Sequence, residues 1–109
     1  MALKANLVID QGSDFIQDIE VSDANNNLVD LSGYTGAAQI RKAYTSSTSK
    51  VFAVTTNSNG IIQIYMNAAN TNSLSSGQYV WDCELTENLS GIVIRIVEGI
   101  VVVTPSVTR

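Results

Sequence analysis

The chain has 109 residues, 45% of them apolar, with ten acidic and six basic side chains and a net charge of −4. That length predicts one domain over residues 1–109, and the apolar content is too high for a disordered chain. The basic residues Lys4, Arg41, Lys42, Lys50, Arg95 and Arg109 are scattered along the sequence, which argues against a nucleic-acid surface, because tracking phosphates needs clustered positive charge.

The opening Met1-Ala2-Leu3-Lys4-Ala5-Asn6 lacks the apolar stretch of a secretory signal. No run approaches the ~20 residues that span a bilayer. The expectation is a protein made and kept in a cytoplasm, with no membrane partner. Apolar residues then recur with a period of two in short runs bounded by Asn, Asp, Ser and Gly, the pattern of half-buried strands. The first run is Asn6 to Asp10. After Gln11-Gly12-Ser13 a second runs from Asp14 to Ser22, with Phe15, Ile19 and Val21 on one face. The cluster Asp23 to Asn27 ends it, since short amides and carboxylates bond their own backbone.

Leu28 to Tyr34 reads as a connection that tucks Leu28, Leu31 and Tyr34 against the core, with Ser32-Gly33 bending into a third strand, Thr35 to Tyr44. The loop Thr45 to Lys50 is nearly all Ser and Thr. Strand four, Val51 to Thr56, meets strand five, Ile61 to Met66, across Asn57-Ser58-Asn59-Gly60, whose Asn-Gly pair is a strong hairpin signal. Asn67 to Leu74 lacks alternation and offers Asn67 as the N-cap of a single helical turn.

Strand six, Gln78 to Thr86, alternates cleanly: Tyr79, Trp81, Cys83 and Leu85 on one side, Asp82 and Glu84 on the other. Cys83 is the only cysteine, cannot form an internal disulfide, and reads as a small buried hydrophobe. Asn88 to Gly91 turns the chain, and its match to a glycosylation sequon carries no weight without secretion. The last strand, Ile92 to about Thr104, is long, and Gly99 at its middle reads as a bulge that resets the register. Pro105 closes it.

These runs predict an all-β fold, a two-sheet immunoglobulin-like sandwich of about seven antiparallel strands, with a small closed barrel as the alternative. Tyr79 lies at the start of a strand just after a helical turn, where immunoglobulin-like domains place a tyrosine whose hydroxyl bonds back to the corner backbone. Trp81, two residues on, would fill the core between the sheets, with Phe15 also in that core.

Catalytic chemistry finds little support. There is no histidine, which removes the commonest general base and metal ligand. The carboxylates Asp14, Asp18, Glu20, Asp82 and Glu84 alternate on strands, as on the solvated face of a sheet, whereas a glycosidase needs a buried, spaced pair. Asp23, Asn25 and Asn27 imitate the start of a calcium loop, but Leu28 and Tyr34 stand where its glycine and glutamate belong. The glycines are dispersed, with no phosphate-cradling loop. The expectation is no enzyme, no metal and no cofactor.

What the chain does offer is surface. In the last strand Val93, Val97, Ile100 and Val102 fall out of phase with Ile92, Ile94, Ile96, Val101 and Val103, so it is apolar on both faces. Either a partner covers Val93, Val97, Ile100 and Val102, or Gly99 shifts the phase and the fold covers both sides itself.

In order, Asp10-Gln11-Gly12-Ser13-Asp14-Phe15, Val29-Asp30-Leu31-Ser32-Gly33-Tyr34-Thr35, Gln39-Ile40-Arg41, Gly77-Gln78-Tyr79-Val80 with Asp82 to Leu85, and Glu98-Gly99 followed by Val103 to Arg109 span nearly the whole chain. With these landmarks the sequence resembles short immunoglobulin-like virion structural proteins of tailed bacteriophages and prophages, distantly like the N-terminal domain of upper baseplate proteins. The resemblance implies a location in the virion, in tail or baseplate, with other virion proteins as partners and a homo-oligomer in the assembled particle. It transfers no functional residues. Two other readings are a head or neck decoration protein and a carbohydrate-binding module for host attachment, the latter needing exposed aromatics, for which Tyr44, Phe52 and Tyr65 are the candidates.

Overall fold

In a computed structural model, which describes residues 3–23 and 25–107, the protein is nearly all β. Ala24 of the Asn-rich loop, the initial Met1-Ala2 and the terminal Thr108-Arg109 lie outside the described residues. The strands are β1 (Leu3–Lys4), β2 (Leu7–Asp10), β3 (Phe15–Glu20), β4 (Tyr34–Arg41), β5 (Lys50–Thr56), β6 (Ile61–Met66), β7 (Gly77–Glu87) and β8 (Val93–Thr104), with one short helix, α1 (Ala68–Asn72), between β6 and β7. The alternating runs thus become strands close to where the sequence puts them. Asn67 caps α1, its side-chain oxygen accepting from the Asn70 N–H at 2.9 Å.

The layering differs from two separate sheets. Hydrogen bonding follows one path, β1-β8-β7-β4-β5-β6-β3, with β2 also on β8. The path curls into a half-barrel because β5 changes partner along its length. Lys50, Val51 and Phe52 pair with β4, whereas Ala53 to Thr56 pair with β6. Nor are all pairings antiparallel. The opening segment, split into β1 and β2, runs parallel to β8, from Leu3↔Val97 to Asp10↔Thr104. Period-two alternation carries no information about the direction of a pairing, since parallel and antiparallel strands alternate alike.

The β5–β6 hairpin forms as its Asn-Gly pair requires. The Asn57 side-chain oxygen accepts from the N–H groups of Asn59 and Ile61, and Gly60 takes φ 75°. A side chain on Gly60 would also press on the Val21 carbonyl oxygen at 2.7 Å, so both the turn and the packing demand glycine.

Inside the curl lies a cluster of buried apolar side chains contributed by every strand except β1. Phe15, Phe52 and Trp81 form its aromatic spine: Phe15 and Phe52 ring centroids are 5.9 Å apart, and Trp81 meets Phe52 edge-on at 6.1 Å. Such tilted contacts are worth about 0.5–1.5 kcal/mol each beyond the area they bury. Leu31 is buried in the connection before β4 and Tyr34 packs against the core, but Leu28 is exposed, because Leu28 forms an isolated bridge with Ser22 at the surface.

Candidate functional site

Strand β7 supplies the corner and the core as its alternation indicates. The Tyr79 hydroxyl donates to the Ser75 carbonyl at 2.7 Å, four residues back, while Trp81, Cys83 and Leu85 are buried. The Trp81 indole N–H donates to the Ala5 carbonyl at 2.8 Å, tying the opening segment to the core. Burial, and then the Asp82 and Glu84 charges, push the Cys83 thiol up from 9.0 to about 11, so it is neutral and inert at ordinary pH.

The last strand corrects two expectations. The register along β7 and β8 shifts between Cys83↔Val97 and Glu84↔Arg95, so the extra residue is Ile96 and not Gly99, which sits in regular register opposite Trp81. Ile96 and Val97 therefore both serve the interior, and Val97 is wholly buried at 0% exposure. It belongs to the core, not to an interface. Gly99 has another task, for Ala5 and Asn6 lean over it: a Cβ there would overlap the Ala5 carbonyl oxygen. The Asn6 side-chain oxygen accepts from the Ile100 N–H at 3.1 Å, replacing a backbone pairing where the opening segment bulges away.

Val93, Ile100 and Val102 remain exposed. Ile100 and Val102, at 39% and 42% exposure, stand on the outer face, where Ile100 pairs with Val80 of β7 and Val102 with Val8 of β2, itself 62% exposed. This is a short apolar row across three strands, reached because β2 joins β8 in parallel and sets Val8 beside Val102. The sequence reasoning missed Val8, whose alternation in Leu7-Val8-Ile9 is hidden by apolar neighbours on both sides.

Beside the row, still on the outer face, lies an open depression of about 410 Å³ over β4, β7 and β8, lined among others by Gln39, Arg41, Tyr44, Asp82, Glu84 and Arg95. The Arg95 guanidinium lies 3.3 Å from Asp82 and 3.5 Å from Glu98. Glu98 also receives the Lys4 ammonium at 2.6 Å, and this hydrogen bond holds its carboxyl below the usual range. Asp82 and Glu84 thus line an open, ion-paired surface. Asp14 instead accepts from the Ala68 N–H at 2.7 Å at the start of α1, and Asp18 from Gln63 at 3.1 Å, so each serves the scaffold. The Asp23 carboxylate closes an Asx turn onto the N–H groups of Asn25 and Asn27. Among the described residues, no group of three or more His, Cys, Asp or Glu side chains could hold a metal ion.

Of the three aromatics considered for a carbohydrate platform, Phe52 is buried in the spine at 2% exposure, while Tyr44 is 71% exposed at the rim of the depression. Among the described residues the sheet ends in two edges: β3 pairs only with β6, and β1 and β2 only with β8. Among the described residues, no helix is long and apolar enough to cross a membrane.

No family model and no curated protein matches the chain. Among solved structures, it is similar to InlP from Listeria monocytogenes (TM-score 0.53, 15% identity), covering 94% of this chain and 28% of that one. It is also similar to a family 123 glycoside hydrolase from Clostridium perfringens (TM-score 0.45, 13% identity), covering 98% of this chain and 24% of that one. The chain thus spans about a quarter of the length of each of these proteins, and the likeness to InlP concerns the fold alone.

Proposed function

We propose that this chain is a non-enzymatic structural component of a tailed-phage virion, in tail or baseplate, that docks onto other virion proteins and onto copies of itself. The observation that carries the reading is the outer apolar row Val8, Ile100 and Val102, left in solvent at the β2 edge of a sheet whose other end, β3, is also open. Apolar side chains aligned across two neighbouring strands gain by being covered, and an edge strand offers unpaired backbone groups to an added strand. On β3 the edge carries Asp18 and Glu20, charges that discourage indiscriminate pairing and leave shape to choose the partner. The order of landmarks from Asp10 to Arg109 supports the phage setting, and the Tyr79–Ser75 bond supports an immunoglobulin-like corner. Labelling purified particles with an antibody to this protein tests the proposal. Label on the tail or baseplate is the expected result, label on the head or neck moves the protein there, and absence from particles overturns the reading.

A carbohydrate-binding role is the second reading, favoured by one observation, the exposed Tyr44 ring at the rim of a polar depression. A glycan array decides it: binding lost in Tyr44→Ala supports it, and a blank array removes it.

A further inference from the structure

Three of the cations that look scattered in the sequence gather in space. A second, smaller depression of about 200 Å³ lies where β4 runs into the loop 42–49 and where the segment after α1 enters β7. Arg41, Lys42 and Lys50 line it, together with the Tyr79 ring and hydroxyl-bearing residues such as Ser49 and Ser75, and no carboxylate does. The chain's composition explains this: residues 31–81 contain those three basic residues and not one Asp or Glu, although the whole chain carries −4. Among the described residues, the ion pairs engage only Lys4 and Arg95. The three other described cations therefore share one hollow that no carboxylate lines, Arg41 standing between it and the larger depression with Asp82 and Glu84.

They are also held in place. The Lys42 ammonium stands 4.6 Å over the Tyr79 ring, which its own bond to Ser75 fixes. The Arg41 guanidinium donates to the Ser46 carbonyl at 2.7 Å and to Gln39 at 2.9 Å, pinning the loop that forms the rim. Lys50 is half-buried and pairs with Ile40 across the β4–β5 ladder. Positive groups gathered without a partner repel one another, and an anion among them removes that repulsion while accepting charge-assisted hydrogen bonds.

We propose that this hollow is a binding site for a small oxyanion of the carboxylate or phosphate class, held chiefly by Lys42 and Lys50 with hydroxyl donors at the rim. The site does not rest on the virion reading, and either can fail alone. The test is an NMR titration of the ¹⁵N-labelled protein with inorganic phosphate and, separately, acetate, at constant ionic strength. The expected result is saturable shifts confined to amides of residues 42–50 and 73–79, with a dissociation constant of about 1 mM. The pair Lys42→Gln and Lys50→Gln weakens binding at least about tenfold, the loss of two charge-assisted bonds, whereas Lys4→Gln leaves it unchanged. Tighter binding of acetate assigns the site to acidic side chains of a protein partner, and tighter binding of phosphate assigns it to phosphorylated ligands. Shifts that fail to saturate, or that spread equally to Lys4 and Arg95, overturn the proposal, and the unsubstituted protein alone suffices to show this.

Discussion

Strands β7 and β8 lie side by side from Gly77↔Val103 to Thr86↔Val93, yet they meet their surroundings differently. From Tyr79 to Leu85 every second residue of β7 is buried and the residues between are half-exposed. In β8 the buried positions are Val97, Val101 and Val103, the first three residues are exposed, and the phase slips at Ile96. The cause is what lies on each flank. Strand β7 is central, between β4 and β8, and each face meets one medium throughout. Strand β8 has β7 on one side and two short parallel pieces, β1 and β2, on the other, with Ala5 and Asn6 leaning over Gly99 between them. The difference teaches that a strand's pattern records all its neighbours, including those supplied from the far end of the chain.

The sharpest way to break this contrast is Gly99→Ala. Its Cβ would overlap the Ala5 carbonyl oxygen, which is backbone and cannot swing aside, so the opening segment must lift and Trp81 lose its acceptor. Urea unfolding should show a loss of about 3 kcal/mol or more, from the overlap plus a buried donor left unmatched. A loss under ~1 kcal/mol would mean that the strap over β8 is dispensable.

Alkaline unfolding probes the regular strand. The Cys83 thiol is raised from 9.0 to about 11, chiefly by burial, so its neutral form is favoured in the fold. Stability on this account is complete below about pH 9 and declines as pH rises through 11, by up to about 2–3 kcal/mol. Cys83→Ala should flatten that part of the pH profile relative to the parent. Tyr79→Phe comes next: removing the hydroxyl bond to Ser75 should cost about 1 kcal/mol in the same assay. Smallest is the outer row, where Ile100→Ser and Val102→Ser should each change stability by less than about 0.5 kcal/mol. Their effect belongs to assembly, visible as reduced incorporation into particles, and a large loss of stability would place these side chains in the core.

Much of the fold was legible in the residues themselves. Strands β5 and β6 appear nearly residue for residue because Asn59-Gly60 marks the turn and the flanking runs are rich in β-branched and aromatic residues, among them Val51, Phe52, Val54, Ile61, Ile62 and Ile64. The Asn67 cap marked α1 for the same local reason. The outer surface was less legible. Val97 groups with the interface candidates in the sequence because it falls out of phase with Ile92, Ile94 and Ile96, and only the pairing with β7 shows Ile96 as the extra residue. Val8 was overlooked since nothing local shows that β2 will lie beside Val102. Arg41, Lys42 and Lys50 looked diluted among Ser and Thr, and only the turn from β4 into β5 brings them beside Tyr79.

By itself, then, the amino-acid order determined which segments are strands, where the turns fall, and that Tyr79, Trp81 and Cys83 face inward, because these follow from backbone preferences and a two-residue period acting over a few neighbours. Only the tertiary structure decided that the opening segment runs parallel to β8, that the sheet curls at β5, and which apolar and basic side chains end up together in solvent. Those outcomes depend on contacts between residues up to 95 positions apart, as with Ile9 and Thr104, and no short stretch of sequence carries them.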